Sequence, residues 1–169
     1  TEVRRGWKAG RLPLFFAVTT AGTGSQQSPY AVITNTKINR KCNVTSDLFY
    51  PDLIILDATL TYTLNQKWTA SCGFDTLAHA IDGYTVKQLI CVPNDYYDTL
   101  ALKAIELTGK SLRQAYAIPQ NYEARKDMLV ASDLAGLMLS AGTGATHGLA
   151  NMLSKYYHVP HGESVGMLL

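Results

Sequence analysis

The stretch Gly73-Phe74-Asp75-Thr76-Leu77-Ala78-His79-Ala80-Ile81-Asp82-Gly83-Tyr84 decides how this chain is read. Around it, Ala70, Phe74, Leu77, Ile81 and Tyr84 recur at steps of four and three, the period of an α-helix with one apolar stripe. Asp75 and His79 are four apart, so on that helix they stand one above the other and can share one ion. Their expected place is the edge of the stripe, where a carboxylate is desolvated and costly unless it is charge-paired or metal-bound. A lone Asp-x-x-x-His pair is more often a salt-bridged surface pair than a site. A second group of histidines is what raises it.

That group lies far downstream, in Thr146-His147-Gly148-Leu149-Ala150-Asn151 followed by His158-Val159-Pro160-His161-Gly162-Glu163. His147 is expected on a helix and His161 on the turn after it, giving Asp75, His79, His147 and His161 as candidate ligands of one divalent cation. Three imidazoles and one carboxylate suit zinc, iron, cobalt or nickel, whereas magnesium and calcium want more oxygen. His158 reads as a helix-end or surface histidine.

Working outward, residues 12–18, 30–34 and 53–57 are short, β-branched or aromatic runs bounded by Gly, Pro and Asn, and are expected as strands. From about Thr59 the texture turns helical, which puts a boundary near residue 58. One further helix is expected from about Asp95 to Tyr116 with Leu100, Ala101, Ala104 and Ile105 inward. Another runs from about Tyr122 to Ser140 with Met128, Ala131, Ala135 and Met138 inward, and Asn94 and Asn121 serve as caps. A fourth is expected from about Ala145 to Tyr157, ended by Pro160.

Composition narrows the function. At 169 residues and 47% apolar content the chain can bury one substantial core. A net charge of +2 and no basic run beyond Arg4-Arg5 argue against nucleic acid. No apolar stretch approaches the ~18 residues needed to span a bilayer. Cys42, Cys72 and Cys91 form neither a disulfide framework nor a Cys-x-x-Cys knuckle, so a reducing, cytoplasmic setting is expected. The chain starts without Met and stops on the apolar run Gly166-Met167-Leu168-Leu169, so both ends read as cut. Apolar surface left open in this way is expected to drive homo-oligomer formation.

Several strings together resemble the iron-containing (group III) alcohol dehydrogenases. They are Thr19-Thr20-Ala21-Gly22-Thr23-Gly24-Ser25, the stretch quoted at the outset, and Val159-Pro160-His161-Gly162-Glu163. They stand in the family's order, and residues 98–106 and 124–132 between them resemble its helices, so the likeness covers nearly the whole chain. It implies Asp75, His79, His147 and His161 as metal ligands. It further implies that the hydroxyls of Thr19, Thr20, Thr23 and Ser25, with the glycine amides, hold a phosphate or nicotinamide ribose of NAD or NADP, and that Lys41 contacts the cofactor. Without the resemblance, the loop would read as an ordinary glycine turn and Lys41 as a solvated cation.

Three departures stand out. The family's N-terminal nucleotide-binding domain with its Gly-Gly-Gly-Ser turn and its last C-terminal helices have no counterpart, so the chain resembles a middle fragment. Asn151 occupies the position of a second histidine in the family's His-x-x-x-His, and Gln26 replaces a glutamate. The expected fold is α+β, mostly α: a dehydroquinate synthase-like helical domain over 58–169, preceded by a remnant of the nucleotide-binding α/β domain over 1–57. The expected activity is NAD(P)-dependent interconversion of a small alcohol and its aldehyde or ketone, assisted by the metal. The rivals are an inactive metal-binding helical module, a polyol dehydrogenase of the glycerol type, and a lyase of the dehydroquinate synthase type.

Overall fold

Helix α1 (Gln66–Thr85) begins where the Asn65 side-chain oxygen accepts the Trp68 N–H at 2.9 Å, satisfying one of the donors that a helix start leaves free. In the computed structural model, residues 10–37, 40–86, 95–140 and 142–169 are described. Asn94, read from the sequence as a cap, and Cys91 lie outside them. Helix α1 is followed by α2 (Asp95–Ala117), α3 (Tyr122–Met138), α4 (Ala145–Tyr157) and α5 (His161–Leu168). Asn121 caps α3 as expected, accepting the Ala124 N–H at 3.1 Å.

Before the helices lie four short strands. β1 (Phe15–Ala17) pairs in parallel with β4 (Leu53–Ile55), with Phe16 opposite Ile54. The Asp52 carboxylate closes the start of this pair, binding the Arg11 guanidinium and accepting the Leu14 N–H at 2.8 Å. β2 (Tyr30–Asn35) pairs antiparallel with β3 (Arg40–Thr45), from Tyr30 opposite Thr45 to Asn35 opposite Arg40. The sequence pattern did not single out β3. The helical texture expected from Thr59 is first a 3-10 turn, Ala58–Thr61, capped by Asp57 through the Thr59 N–H at 2.9 Å.

Helix α1 is the centre of the helical layer, and its faces are the reverse of the expectation. Phe74 and Tyr84 of the apolar stripe are 40% and 37% exposed, while Thr69, Ser71, Gly73, Thr76, Ala78, Ala80 and Gly83 are buried. At about 3.6 residues per turn, His79 lies half a turn round from Ala70, so Asp75 and His79 stand opposite the stripe rather than at its edge. The inward face is made of small side chains because other helices approach the α1 backbone closely. A Cβ on Gly73 would lie 2.2 Å from Leu112 of α2, and one on Gly83 would lie 2.4 Å from Met138 of α3.

Alanine dominates the rest of the core. Ala80, Ala104 and Ala135 join α1, α2 and α3, and Ala78, Ala150 and Val165 join α1, α4 and α5. Of the residues expected to point inward, Ala101, Ala104, Met128, Ala131, Ala135 and Met138 are buried, and Leu100 and Ile105 are half-buried. Pro160 does not merely stop α4: it is the residue before α5, which carries His161 as its first residue. His161 is therefore helical, where a turn had been expected.

The loop over residues 19–25 is docked on α1 and α3. Thr76 donates to the Ala21 carbonyl at 3.1 Å, and both Gln26 and Gln27 donate to Asp133, at 3.0 and 2.9 Å. Gly24 has φ +58°, a conformation that favours glycine. It meets Gly136 of α3 so closely that a Cβ on Gly136 would lie 2.5 Å from the Gly24 carbonyl oxygen. Gly136→Ala is therefore expected to lower stability by about 1–3 kcal/mol. Gly109→Ala, on α2 with open space around it, is expected to raise stability by about 0.5–1 kcal/mol. Urea unfolding midpoints of the two variants check this, and shifts of the same sign would contradict it.

Candidate metal centre

Asp75 projects from the middle of α1 into the angle between α4 and α5, and its Oδ1 atom is where the four expected side chains meet. The Nε2 atoms of His161, His147 and His79 lie 3.5, 3.6 and 3.8 Å from it. Ligand atoms of Asp75, His147 and His161 all lie within 4.8 Å of one another. His79 stands outside that tighter trio but stacks on His147, with ring centroids 4.5 Å apart and planes 14° from parallel. The spacing explains the convergence: Asp75 and His79 are one turn apart on α1, His147 is in the first turn of α4, and His161 opens α5.

Three of these side chains are almost wholly enclosed, and His161 is 38% exposed, so the cluster opens on the His161 side. Asp75 Oδ1, His147 Nε2 and His79 Nδ1 are buried atoms without a hydrogen-bond partner. Buried polar atoms are rarely left so. Two of them, Asp75 Oδ1 and His147 Nε2, face each other at 3.6 Å, too far for a hydrogen bond and suited to donors around a common cation. An anionic oxygen and imidazole nitrogens are also the donor types that zinc and its neighbours prefer.

The electrostatics are strongly divided. Burial pushes the Asp75 carboxyl up, yet the imidazoles around it hold it below the usual carboxylate range. Burial pushes His79 down to about 4, with Asp75 opposing. Burial also works against charge on His147, but the carboxylates of Asp75 and Asp82 hold it up at about 9. Burial and Asp75 push the Cys72 thiol up to about 11, which leaves it a protonated, inert neighbour.

The cofactor residues read from the sequence sit on the docked loop. Thr19, Thr23 and Ser25 are exposed and Thr20 half-buried, while Ala21, Gly22 and Gly24 between them are buried. The Thr23 hydroxyl oxygen accepts the Ser25 N–H at 3.3 Å. Because Thr76 donates to the loop and Asp75 is its neighbour on α1, loop and histidine cluster are fixed to the same helix. Lys41 lies on β3 opposite Thr34, and its side chain lies outside the described residues. Asn151 is exposed one turn beyond His147. His158 is exposed and ends α4 with φ 56°, the helix-end position expected of it.

One contacting residue was not singled out from the sequence. Asp82 Oδ2 lies 2.7 Å from His147 Nδ1 and accepts the Gly144 N–H at 2.8 Å. The signal was present, because Asp82 follows Asp75 by seven residues, close to two turns, on the same face of α1.

Residues 69–169 match the model of the Fe-containing alcohol dehydrogenase family, C-terminal, and residues 2–58 match that of iron-containing alcohol dehydrogenase. The chain belongs to the iron-containing alcohol dehydrogenase family. It is 40% identical over 160 residues to "Probable alcohol dehydrogenase EutG" of Salmonella typhimurium, covering 94% of this chain and 40% of that relative. It is 38% identical to the 1,3-propanediol dehydrogenase of Citrobacter freundii, with the same coverage of 94% and 40%. Among solved structures it is similar to the sulfoacetaldehyde reductase from Bifidobacterium kashiwanohense in complex with NAD+, with TM-score 0.87 and 38% identity, covering 94% of this chain and 41% of that one. The chain thus spans about 40% of the length of the curated relatives it matches.

The opposed histidine shifts have a consequence for the metal-free chain. His79, depressed from 6.5 to about 4, contributes stability above pH 6.5 that is lost as pH falls toward 4. His147, raised from 6.5 to about 9, contributes stability below pH 6.5 that is lost as pH rises through 9. In chelator, the thermal midpoint is therefore expected to decline from about pH 6.5 to 9, and His147→Gln is expected to lack that decline. A midpoint that rises over that interval in the unmodified chain would contradict it.

Proposed function

We propose that Asp75, His79, His147 and His161 hold one divalent cation, iron or zinc with nickel and cobalt as the other fits. We further propose that the chain serves NAD(P)-dependent interconversion of alcohols and aldehydes. The observation that carries this reading is the pair of buried atoms that make no hydrogen bond, Asp75 Oδ1 and His147 Nε2, facing each other at 3.6 Å with the His79 and His161 rings beside them. When bound, the cation supplies Lewis acidity toward an alcohol or carbonyl oxygen, and the nicotinamide exchanges the hydride. A single carboxylate among the four ligands leaves part of the cation's charge uncompensated, which favours an oxygen that is gaining negative charge.

The chain's own residues do the rest. His147 must release its Nε2 proton to act as a ligand, so metal uptake competes with protons. Asp75, His79 and His147 close off the inner side, and the part-exposed His161 marks the side from which a small substrate enters. Thr19, Thr20, Thr23 and Ser25, with the backbone amides of the loop, offer donors to a dinucleotide, and Lys41 offers a cation from β3. The solved relative that holds NAD+ supports this assignment. Asn151 cannot titrate, so proton exchange falls to water or to a ligand. In this reading residues 1–57 contribute the nucleotide loop and residues 58–169 the metal.

The test is metal analysis of the purified chain together with titration by NADH and NADPH and assay on short alcohols, glycerol and 1,3-propanediol. The reading expects a single ion per chain, its loss in Asp75→Ala and His147→Ala, nucleotide binding, and oxidation of the alcohols. Metal uptake without nucleotide binding would favour the metal-binding module instead, and no uptake would defeat both. Exposed Phe74, Leu149, Met152, Tyr156 and Tyr157 support self-association of this chain. Sedimentation is expected to show a homo-oligomer, and a strictly monomeric species would contradict that.

A further inference from the structure

The two ring nitrogens of His147 face two different carboxylates. Nε2 lies 3.6 Å from Asp75 Oδ1 and has no hydrogen-bond partner, while Nδ1 lies 2.7 Å from Asp82 Oδ2. His147 and Asp82 are each only 5% exposed, so little water competes for this contact. An ionised carboxylate can only accept, so the proton of this bond belongs to Nδ1, and the Nε2 lone pair is the one available to a cation.

Asp82 is itself held by the helix it orients. Its Oδ2 also accepts the N–H of Gly144, the residue that caps α4 without a side chain of its own. A Cβ on Gly144 would lie 2.6 Å from Asp82 Oδ1, so glycine is what lets the start of α4 come this close. One carboxylate on α1 thus satisfies the backbone N–H of the residue that begins α4 and grips the histidine in its first turn. The position of Asp82, two turns beyond Asp75 on the same helix, ties both ends of the His147 ring to one rigid element.

We propose that Asp82 is the positioning residue of the metal centre: it fixes the tautomer and ring orientation of His147 so that Nε2 faces the cation. This rests on the metal reading above. Outer carboxylates of this kind hold ligating imidazoles in place, and losing one lowers metal affinity roughly 10- to 100-fold.

The test uses the full chain, zinc as the probe, chelator competition for affinity, and nitrogen NMR of the histidines for the tautomer. In the zinc-loaded protein His147 is expected to carry its proton on Nδ1 and to bind through Nε2. Asp82→Ala is expected to weaken zinc binding roughly 10- to 100-fold and to lose the Nδ1–H signal, whereas Asp82→Asn, whose oxygen can still accept, keeps affinity within about tenfold. A folded Asp82→Ala with unchanged zinc affinity, or His147 bound through Nδ1, would overturn the proposal while leaving the metal reading intact. A chain that takes up no zinc would overturn both. Should Asp82→Ala fail to fold, the tautomer in the unmodified protein decides.

Discussion

Everything in this protein's site depends on one buried carboxylate. Asp75 is 4% exposed, stands at the centre of the α1 helix, and has an oxygen with no hydrogen-bond donor. An isolated ion in such a place is expensive, and the imidazoles of His79, His147 and His161 are what surround it. The arrangement is unbalanced without a cation. His147 is held charged by two carboxylates, His79 is kept neutral by burial, and they stack face to face. In the proposed reading, a divalent cation held by Asp75, His79, His147 and His161 would offset the carboxylate charge.

The packing of the helices is what makes that convergence accurate. Small side chains on the inward face of α1 let α2 and α3 come close enough that Gly73 and Gly83 have no room for a methyl group. The same holds at α5, where a Cβ on Gly162 would lie 2.2 Å from the Ser71 carbonyl oxygen. Close approach leaves the histidine-bearing ends of α4 and α5 little freedom relative to Asp75. It also seats the loop over residues 19–25, through Thr76 on one side and the Gly24–Gly136 contact on the other. Loop and cluster are therefore both anchored to α1.

Much of this was legible in the residues, and the failures have physical causes. The limits of α4 and the cap of α3 follow from local chemistry, so Ala145, Tyr157 and Asn121 were readable. The face of α1 was not, because the period rule assumes large apolar side chains inside, and here close helix contact reserves the inside for Gly, Ala, Ser and Thr. β3 escaped because Arg-Lys-Cys-Asn-Val-Thr carries no apolar alternation and is ordered by pairing with β2. α5 escaped because Pro160 reads equally as a stop and as a start, and two glycines weaken its local helical signal. Asp75 and the three histidines around its Oδ1 were visible by spacing and resemblance. Asp82 was hidden in a motif already given another meaning.

The central claim is that four side chains from three helices share one cation. Anomalous diffraction from crystals grown with zinc tests it most directly. The account expects one strong peak bounded by Asp75 and the Nε2 atoms of His79, His147 and His161, at about 2.0–2.2 Å from each. A zinc ion bound elsewhere, or a peak at this cluster that leaves Asp75 outside the ligand set, would contradict it.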